Sequence, residues 1–549
     1  MSNTTATNVR HRIIIVSMLM AFILYLDRIC LAEIVKSASF KTDVPLTKEE
    51  IGRILGAFFF SYAIFQVPTG WASDRFGARK MLTAYIVLWS LFTALTGFMS
   101  TFAGLLAMRL LCGAAQAGAY PTSGAVIRRW IPLASRARSS SFVSLGGRLG
   151  GTLAPFLTAW MIITLGHWRR PLWVDGAVGL IIAAIYWHVV RDRPEEHPGC
   201  NDAERAIIGT PPVEAPVPTS EFIGMIGAFC RSRSLWLNAA GQLLVNIGWA
   251  FLVTWLPTYL KEQKGVGDLQ GGQMVTIVLA CGIPGQLVGG WLADLSVRRF
   301  GLRWGRVLPM SASGFLAGAA YLTCLQADTA WGIVACCCLV SFAVDMGNPA
   351  IWAFMQDVGG RATAAAFGWG NMWGNFGASA ISMLVPFMLE LGKSGGTGQR
   401  NVFILCAASL FLYGFIALAL DATKPLQGFT LPVNPLAGGL LLVAALGAIG
   451  VTSGSPLSPT REGFGMLALG VAAAVFSFSR MRRLALIGNA SFIALTASAA
   501  VATVVLAGNS PVAGPSLFVP TLLGGGLSCI LAVWATLKLG TQVSPNRAA

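Results

Sequence analysis

Gly70-Trp-Ala-Ser-Asp74-Arg75-Phe-Gly77-Ala-Arg79-Lys80 is a short, basic, glycine-bearing stretch between two long apolar runs. A weaker copy follows in the second half of the chain: Gly290-Trp-Leu-Ala-Asp294, then Arg298, Arg299 and Gly301. One such turn is a loop. Two, at matching places in two apolar halves, mark an internally duplicated membrane protein.

Composition agrees. The chain has 549 residues, 55% hydrophobic and 11% charged, against about 25% charged in soluble domains. Mean hydropathy is +0.67. Runs of about 20 apolar residues, the length needed to span a bilayer, recur throughout. The net charge of +16 sits mostly in short loops between those runs. That is the signature of membrane topology and not of nucleic-acid binding. Eleven cysteines show no Cys-x-x-Cys spacing, so neither a zinc site nor a redox motif is expected. The first apolar run is too long for a signal-peptide core and contains Asp27 and Arg28. It reads as a retained span.

Twelve spans are predicted, at 13–35, 51–72, 80–100, 102–127, 140–165, 171–190, 235–260, 271–294, 307–326, 330–355, 362–390 and 402–420. Alternating the loops puts Arg10/Arg12, Arg75/Arg79/Lys80, Arg128/Arg129/Arg136/Arg138, Arg191/Arg193, Arg298/Arg299/Arg303/Arg306 and Arg361 on one side. That side is cytoplasmic by the positive-inside rule, which also makes the N-terminus cytoplasmic. The expected fold class is an all-α polytopic membrane protein of two pseudo-symmetric six-helix bundles. Residues 1–190 form the first bundle and 234–430 the second. The polar, proline-bearing stretch 191–233 is a cytoplasmic linker. Residues 431–549 offer four further apolar runs with no aspartate and a single glutamate, Glu462. They read as an accessory membrane region without ion-moving groups.

Charges inside spans are costly and mark function by default. Span one carries Tyr25-Leu-Asp27-Arg28. Span four carries Arg109 and Gln116, seven residues apart and so on one helix face. Span five carries Arg148 in a glycine-rich run, and span ten carries Asp345. Three cations against two acids favour an anion. Arginine suits a carboxylate because its planar fork donates two parallel hydrogen bonds. Asp27 is a candidate proton site: burial favours its neutral form and Arg28 its charged form. Tyr62, Trp255, Asn371 and Asn375 add hydroxyl, indole and amide groups for a polyhydroxylated ligand. The four histidines lie at or near loops, and no catalytic constellation or metal-ligand spacing stands out. No enzyme activity and no cofactor is expected.

Gly70 to Lys80 resembles the loop motif of the major facilitator superfamily, with Ala78 departing at one basic position. Within it, Tyr25-x-Asp27-Arg28, the Tyr62 segment, Arg109-x-x-x-Gly113 and Thr254-Trp255-Leu-Pro257 resemble the anion:cation symporters. These include bacterial hexuronate, glucarate and galactonate transporters. The resemblance covers about residues 10–425. It implies a carrier of sugar acids in the cell inner membrane, working as a monomer by alternating access, with a proton as coupling ion. Arg28 and Arg109 become carboxylate-site or gating arginines, Asp27 a proton acceptor, and Tyr25 and Tyr62 sugar-acid contacts. Gly70, Asp74, Arg75, Gly77, Arg79, Asp294 and Arg298 make up the gating motif and its copy.

Two departures from the family matter. Proton-coupled members commonly carry a glutamate where this chain has Gln116, which cannot titrate. That leaves Asp27 alone, Asp345 as substitute, or a carrier uncoupled from protons. A small residue is usual where Arg148 stands. Arg148 is expected either to pair with Asp345 across the half-interface or to contact a second carboxylate. Rival readings are efflux of a neutral or cationic compound, anion exchange, and a membrane sensor with the tail as output.

Overall fold

A computed structural model describes residues 5–209, 215–391, 398–426 and 428–429. The predicted accessory spans at 431–549 lie outside the described residues. Seventeen α-helices are described: α1 Val9–Ile34, α2 Ala38–Asp43, α3 Lys48–Phe76, α4 Ala78–Thr96, α5 Phe102–Gln116, α6 Ala119–Trp130, α7 Arg136–Leu165, α8 Arg169–Val189, α9 Asp202–Ile208, α10 Phe222–Arg231, α11 Arg233–Thr254, α12 Leu256–Lys264, α13 Asp268–Ala280, α14 Gly282–Thr323, α15 Ala330–Val358, α16 Thr363–Leu391 and α17 Gly398–Leu418. Among the described residues there is no strand. Helices are the expected solution, because backbone groups in hydrocarbon must find their partners within the segment.

Among the described residues, ten helical stretches are long and apolar enough to cross a membrane. One of them, Leu269–Gln326, is 58 residues long and turns at Gly301, where φ is 75°. It therefore holds two passes. The 19-residue α4, about 28 Å long at 1.5 Å per residue, packs along α8 and completes the twelve. Span four is broken between α5 and α6, and span seven between α11 and α12 at Trp255. Phe59, Phe60, Phe156, Trp160, Ile163, Ile181, Trp291 and Phe415 stay largely exposed on the outside of the bundle. Such a surface suits lipid and not water.

Turns are set by local chemistry. Gly77, with φ 95°, ends α3 and starts α4; the left-handed region needs a residue without Cβ. Gly301 serves the second half in the same way. Thr47 and Glu50 form a reciprocal capping box at the head of α3, which satisfies two otherwise orphaned donors. Between α2 and α8, Asp43 accepts from the Trp168 indole at 3.0 Å. It also pairs with His167 at 3.2 Å and Arg169 at 3.5 Å. These contacts hold its carboxyl below the usual aspartate range, the Trp168 hydrogen bond foremost.

The described residues within 5–219 and 234–426 form one compact unit, and 220–233 with 428–429 belong to another. Within the first unit both halves meet. The end carrying Gly70–Lys80 is called the motif face below.

Candidate substrate site and gate

The two motif aspartates do the same job in opposite directions. Asp74, at the end of α3, accepts from the backbone N–H of Ala364 at 3.0 Å and of Ala365 at 2.9 Å. These are orphan donors at the head of α16. Asp294, on α14, accepts from Ala137 at 3.1 Å and Arg138 at 2.9 Å, at the head of α7. Each carboxylate also meets the positive end of a helix dipole. The glycine one turn earlier lets the helices approach. A Cβ on Gly70 would lie 2.5 Å from the Ala364 carbonyl oxygen, and one on Gly290 would lie 2.6 Å from Ser141 Oγ. Both latches bridge the halves, so the motif face is shut.

Charged side chains reinforce it. Arg306 is fully buried, although its sequence position reads as a basic loop. It pairs with Asp357 at 2.8 Å and Asp294 at 3.5 Å, and donates to the Leu133 carbonyl at 3.0 Å. Arg136 reaches Asp357 from the other half at 2.6 Å. Gln356 and Gln286 donate across the halves to Ser140 and Ser144 at 3.0 and 2.7 Å. Arg79 is fixed by its backbone N–H to Asp192 at 3.0 Å and by Nε to the Trp187 carbonyl at 3.0 Å. Arg75 lines a cavity of about 590 Å³ at this face, with Arg128, Arg129, Asp192 and Glu196. Arg298 is exposed, apart from these contacts.

Deeper in the bundle the picture changes. The Arg28 guanidinium lies in an aromatic box, 4.4 Å from the Tyr62 ring centroid, 4.7 Å from Tyr25 and 5.2 Å from Phe58. Its polar contact is long, Nε to Gln116 Oε1 at 3.4 Å. Nη2 is buried without a partner. Arg109 packs on Phe58 at 4.6 Å and donates to the Arg28 carbonyl at 3.2 Å. Gln116 uses its other end on the Leu24 carbonyl at 3.2 Å. The amide thus ties α1 to α5 and leaves Arg28 without a counter-ion.

Asp27 and Arg28, adjacent in sequence, do not pair. Successive helical residues point about 100° apart. Asp27 turns instead toward Asp175, Trp89 and Arg109. Both its oxygens are buried without hydrogen bonds. Asp175, on α8 and 2% exposed, corrects the charge count from the sequence: three interior arginines face three interior carboxyls. No signal separates it in sequence from a polar residue near a span end.

Arg148 and Asp345 form an ion pair across the halves, one of the two expected arrangements. Arg148 also sits 5.1 Å from the Trp249 ring. Tyr120 packs at a tilt against Trp352 of the second half, at 4.8 Å between centroids, and against Tyr25 at 6.3 Å. Asn371 reaches the Tyr62 hydroxyl at 3.5 Å, and Asn375 donates to the Asn371 carbonyl at 2.8 Å. Trp255, at the break between α11 and α12, has a buried indole N–H without a partner. Arg28, Arg148, Asn371 and Asn375 remain half-buried. Tyr25, Tyr62, Arg28, Arg109, Gln116 and Asn371 therefore come together. Tyr120 and Phe58 join them, masked in the sequence by the aromatic richness of their spans.

A duplicated twelve-pass bundle with paired gate latches and an interior arginine site is the architecture of a membrane transporter. The chain matches the model of the Major Facilitator Superfamily over residues 17–382 and belongs to that superfamily. Its relatives include the probable galactarate/D-glucarate transporter GudP of Escherichia coli (strain K12), 26% identical over 79% of this chain and 97% of that protein. The probable sulfoacetate transporter SauU of Cupriavidus necator is 30% identical over 74% of this chain and 93% of that protein. The D-galactonate transporter of Escherichia coli O6:H1 is 28% identical over 76% and 96%. Among solved structures, the superfamily transporter FucP in the outward conformation aligns with TM-score 0.58 at 16% identity, covering 75% of this chain and 99% of that one. The human organic anion transporter MFSD10 aligns with TM-score 0.54 at 17% identity, covering 75% and 100%.

Proposed function

We propose that this protein carries small organic anions, sugar acids of the hexonate or hexarate type, across the cell inner membrane by alternating access, in symport with protons. The observation that carries the reading is Arg28: a half-buried guanidinium in an aromatic box, with one buried terminal nitrogen unpartnered and no carboxylate opposite it. A charge so placed is costly. A substrate carboxylate supplies the missing counter-ion. Tyr25, Tyr62, Asn371 and Asn375 then stand ready for hydroxyl groups. The relatives whose names specify galactarate, glucarate, galactonate and sulfoacetate support an anionic cargo.

Arg148 decides between monoacids and diacids. A monoacid leaves the Arg148–Asp345 pair alone. A diacid reaches Arg148 by displacing Asp345, which then takes up a proton rather than remain a lone buried charge. The motif face is cytoplasmic in this reading, with residues 1–190 and 234–430 as the rocking halves, 191–233 as their linker and 431–549 as an accessory region. One chain suffices for transport. Opening the cytoplasmic side requires releasing the Asp74 and Asp294 latches and the Arg136–Asp357 pair.

The test is uptake and counterflow of D-galactonate, D-glucarate and sulfoacetate by proteoliposomes. Accumulation of at least one of them, dependent on a pH gradient and lost with Arg28→Ala, is expected. Undiminished uptake by Arg28→Ala would remove the anion site from this position.

A further inference from the structure

Asp175 has no part in the gate or in the aromatic box around Arg28. Its depth is informative. It lies six residues into α8, which starts at the face opposite the motif. Asp27 lies seven residues before the end of α1, and Arg109 seven residues into α5. At 1.5 Å per residue all three sit about 10 Å in from that face. α8 packs against both α1 and α4, which closes the ring.

The surroundings are dry and poor in donors. Asp27 is 0% exposed and Arg109 4%. The Trp89 indole is aimed at Asp27, but no donor reaches either Asp27 oxygen or Asp175 Oδ2 within hydrogen-bonding distance and geometry. The groups facing Asp27 are Asp175 from α8, Arg109 from α5 and the Trp89 indole from α4. Cys30 and Cys112 border the same space. From the other elements packed on α1, Tyr120 faces Tyr25 and Arg28, and Arg148 is taken by Asp345. The one cation here, Arg109, faces Asp27, and among the described residues none faces Asp175. With both ionised the site holds a net negative charge without the hydrogen bonds that buried charges require. One bound proton makes it neutral.

We propose that Asp27 and Asp175 act as one proton-holding pair, sharing a single proton opposite Arg109. The pair supplies the second titratable carboxyl that Gln116 does not, an inference that rests on the proton-coupled reading above for its role in transport. The proton enters from the face opposite the motif. Arg109 touches the Arg28 carbonyl, so cargo binding at Arg28 is transmitted to the cation that balances the pair. A shift of Arg109 toward the cargo leaves the pair holding its proton; its return allows release on the motif side.

The experiment has two arms on the full chain. In infrared spectra of purified protein titrated with acid and base, wild type shows a protonated-carboxyl stretch at neutral pH. Asp175→Asn abolishes it, because the remaining Asp27 carboxylate is balanced by Arg109. Asp175→Glu keeps it, which separates the effect from misfolding. In proteoliposomes, Asp175→Asn lowers pH-gradient-driven D-galactonate accumulation by about tenfold, the effect of one pKa unit, and lowers counterflow less. A stretch that survives Asp175→Asn but not Asp27→Asn assigns the proton to Asp27 alone and overturns the pair. So does a wild type without the stretch. A wild type that shows it, yet accumulates D-galactonate equally with and without a pH gradient, sinks the symport reading while upholding the pair.

Discussion

At the motif face the buried acids are satisfied; deeper in the bundle they are not. Asp74, Asp294 and Asp357 each use both oxygens on donors between 2.6 and 3.5 Å away. Asp27 uses neither oxygen, and Asp345 leaves Oδ2 without a partner. Arg306 has three partners where Arg28 has one long contact. The difference separates two uses of intramembrane charge. A fully paired group holds one conformation shut. An unpaired group is kept at a cost because something that comes and goes completes it.

The largest expected effect probes the unpaired side. Arg28→Ala removes the charge that a bound carboxylate would neutralise, and truncating one partner of a buried charge pair costs about 2–5 kcal/mol of affinity. Calorimetric titration with a sugar acid that wild type binds should show binding lost. The ligand-free variant should melt no lower than wild type, since the deleted charge lacks a counter-ion. A variant that melts early and still binds would make Arg28 a structural residue and blur the comparison.

The paired side should respond in the opposite sense. Asp357→Asn strips the carboxylate that Arg136 and Arg306 share. The bond to Arg136 exists only while the motif face is shut, and charged hydrogen bonds contribute about 1.5–3 kcal/mol each. Distance measurements between spin labels on opposite halves at this face should show a larger open fraction. Asp74→Asn removes one acceptor from backbone donors and should open it less. Equal effects would mean that the backbone caps alone set the gate.

Much of this was legible in the chain. Apolar runs mark the passes because backbone groups in lipid must be satisfied within helices, and the duplicated motif marks the two latches. Arg148 and Asp345 could be matched because each is a lone interior charge with few alternatives. Three things stayed hidden. Arg306 lies in a basic cluster that reads as solvated loop, and its full burial depends on Asp357 and Leu133, distant in sequence. Asp175 lies near the head of its span, where polar residues are ordinary. Asp27 and Arg28 look like a pair until helical rotation separates them. Each of these depends on which faces meet, and one chain's periodicity does not encode that.

Gln116 tests the boundary between the two regimes. Gln116→Glu places a carboxylate 3.4 Å from Arg28 Nε and turns an unpaired arginine into a paired one. Sugar-acid affinity at neutral pH should fall by about tenfold, or about 1.4 kcal/mol. It should recover as acid protonates the introduced group. Affinity that is unchanged and pH-independent would show that cargo does not use Arg28 as counter-ion.

The smallest effect concerns a satisfied acid outside the bilayer. Glu204, on α9, accepts from Thr7 Oγ1 at 2.5 Å, from the N–H groups of Val9 and Arg10 at 3.0 Å, and from the Arg10 guanidinium at 3.2 Å. Burial raises its pKa, but these hydrogen bonds and the Arg10 charge outweigh burial and hold it below the usual glutamate range. The sign follows from linkage: a depressed folded-state pKa stabilises the attachment above the unfolded value, and that stability is lost as pH falls through the folded one. Amide exchange at Val9 and Arg10 should therefore be slower in wild type than in Glu204→Gln at neutral pH. The two should converge only below the ordinary glutamate range. A gap that persists into strong acid would mean that shape, not charge, fastens α9 to the head of α1, and satisfied acids at this face would then be fixed by packing before pairing.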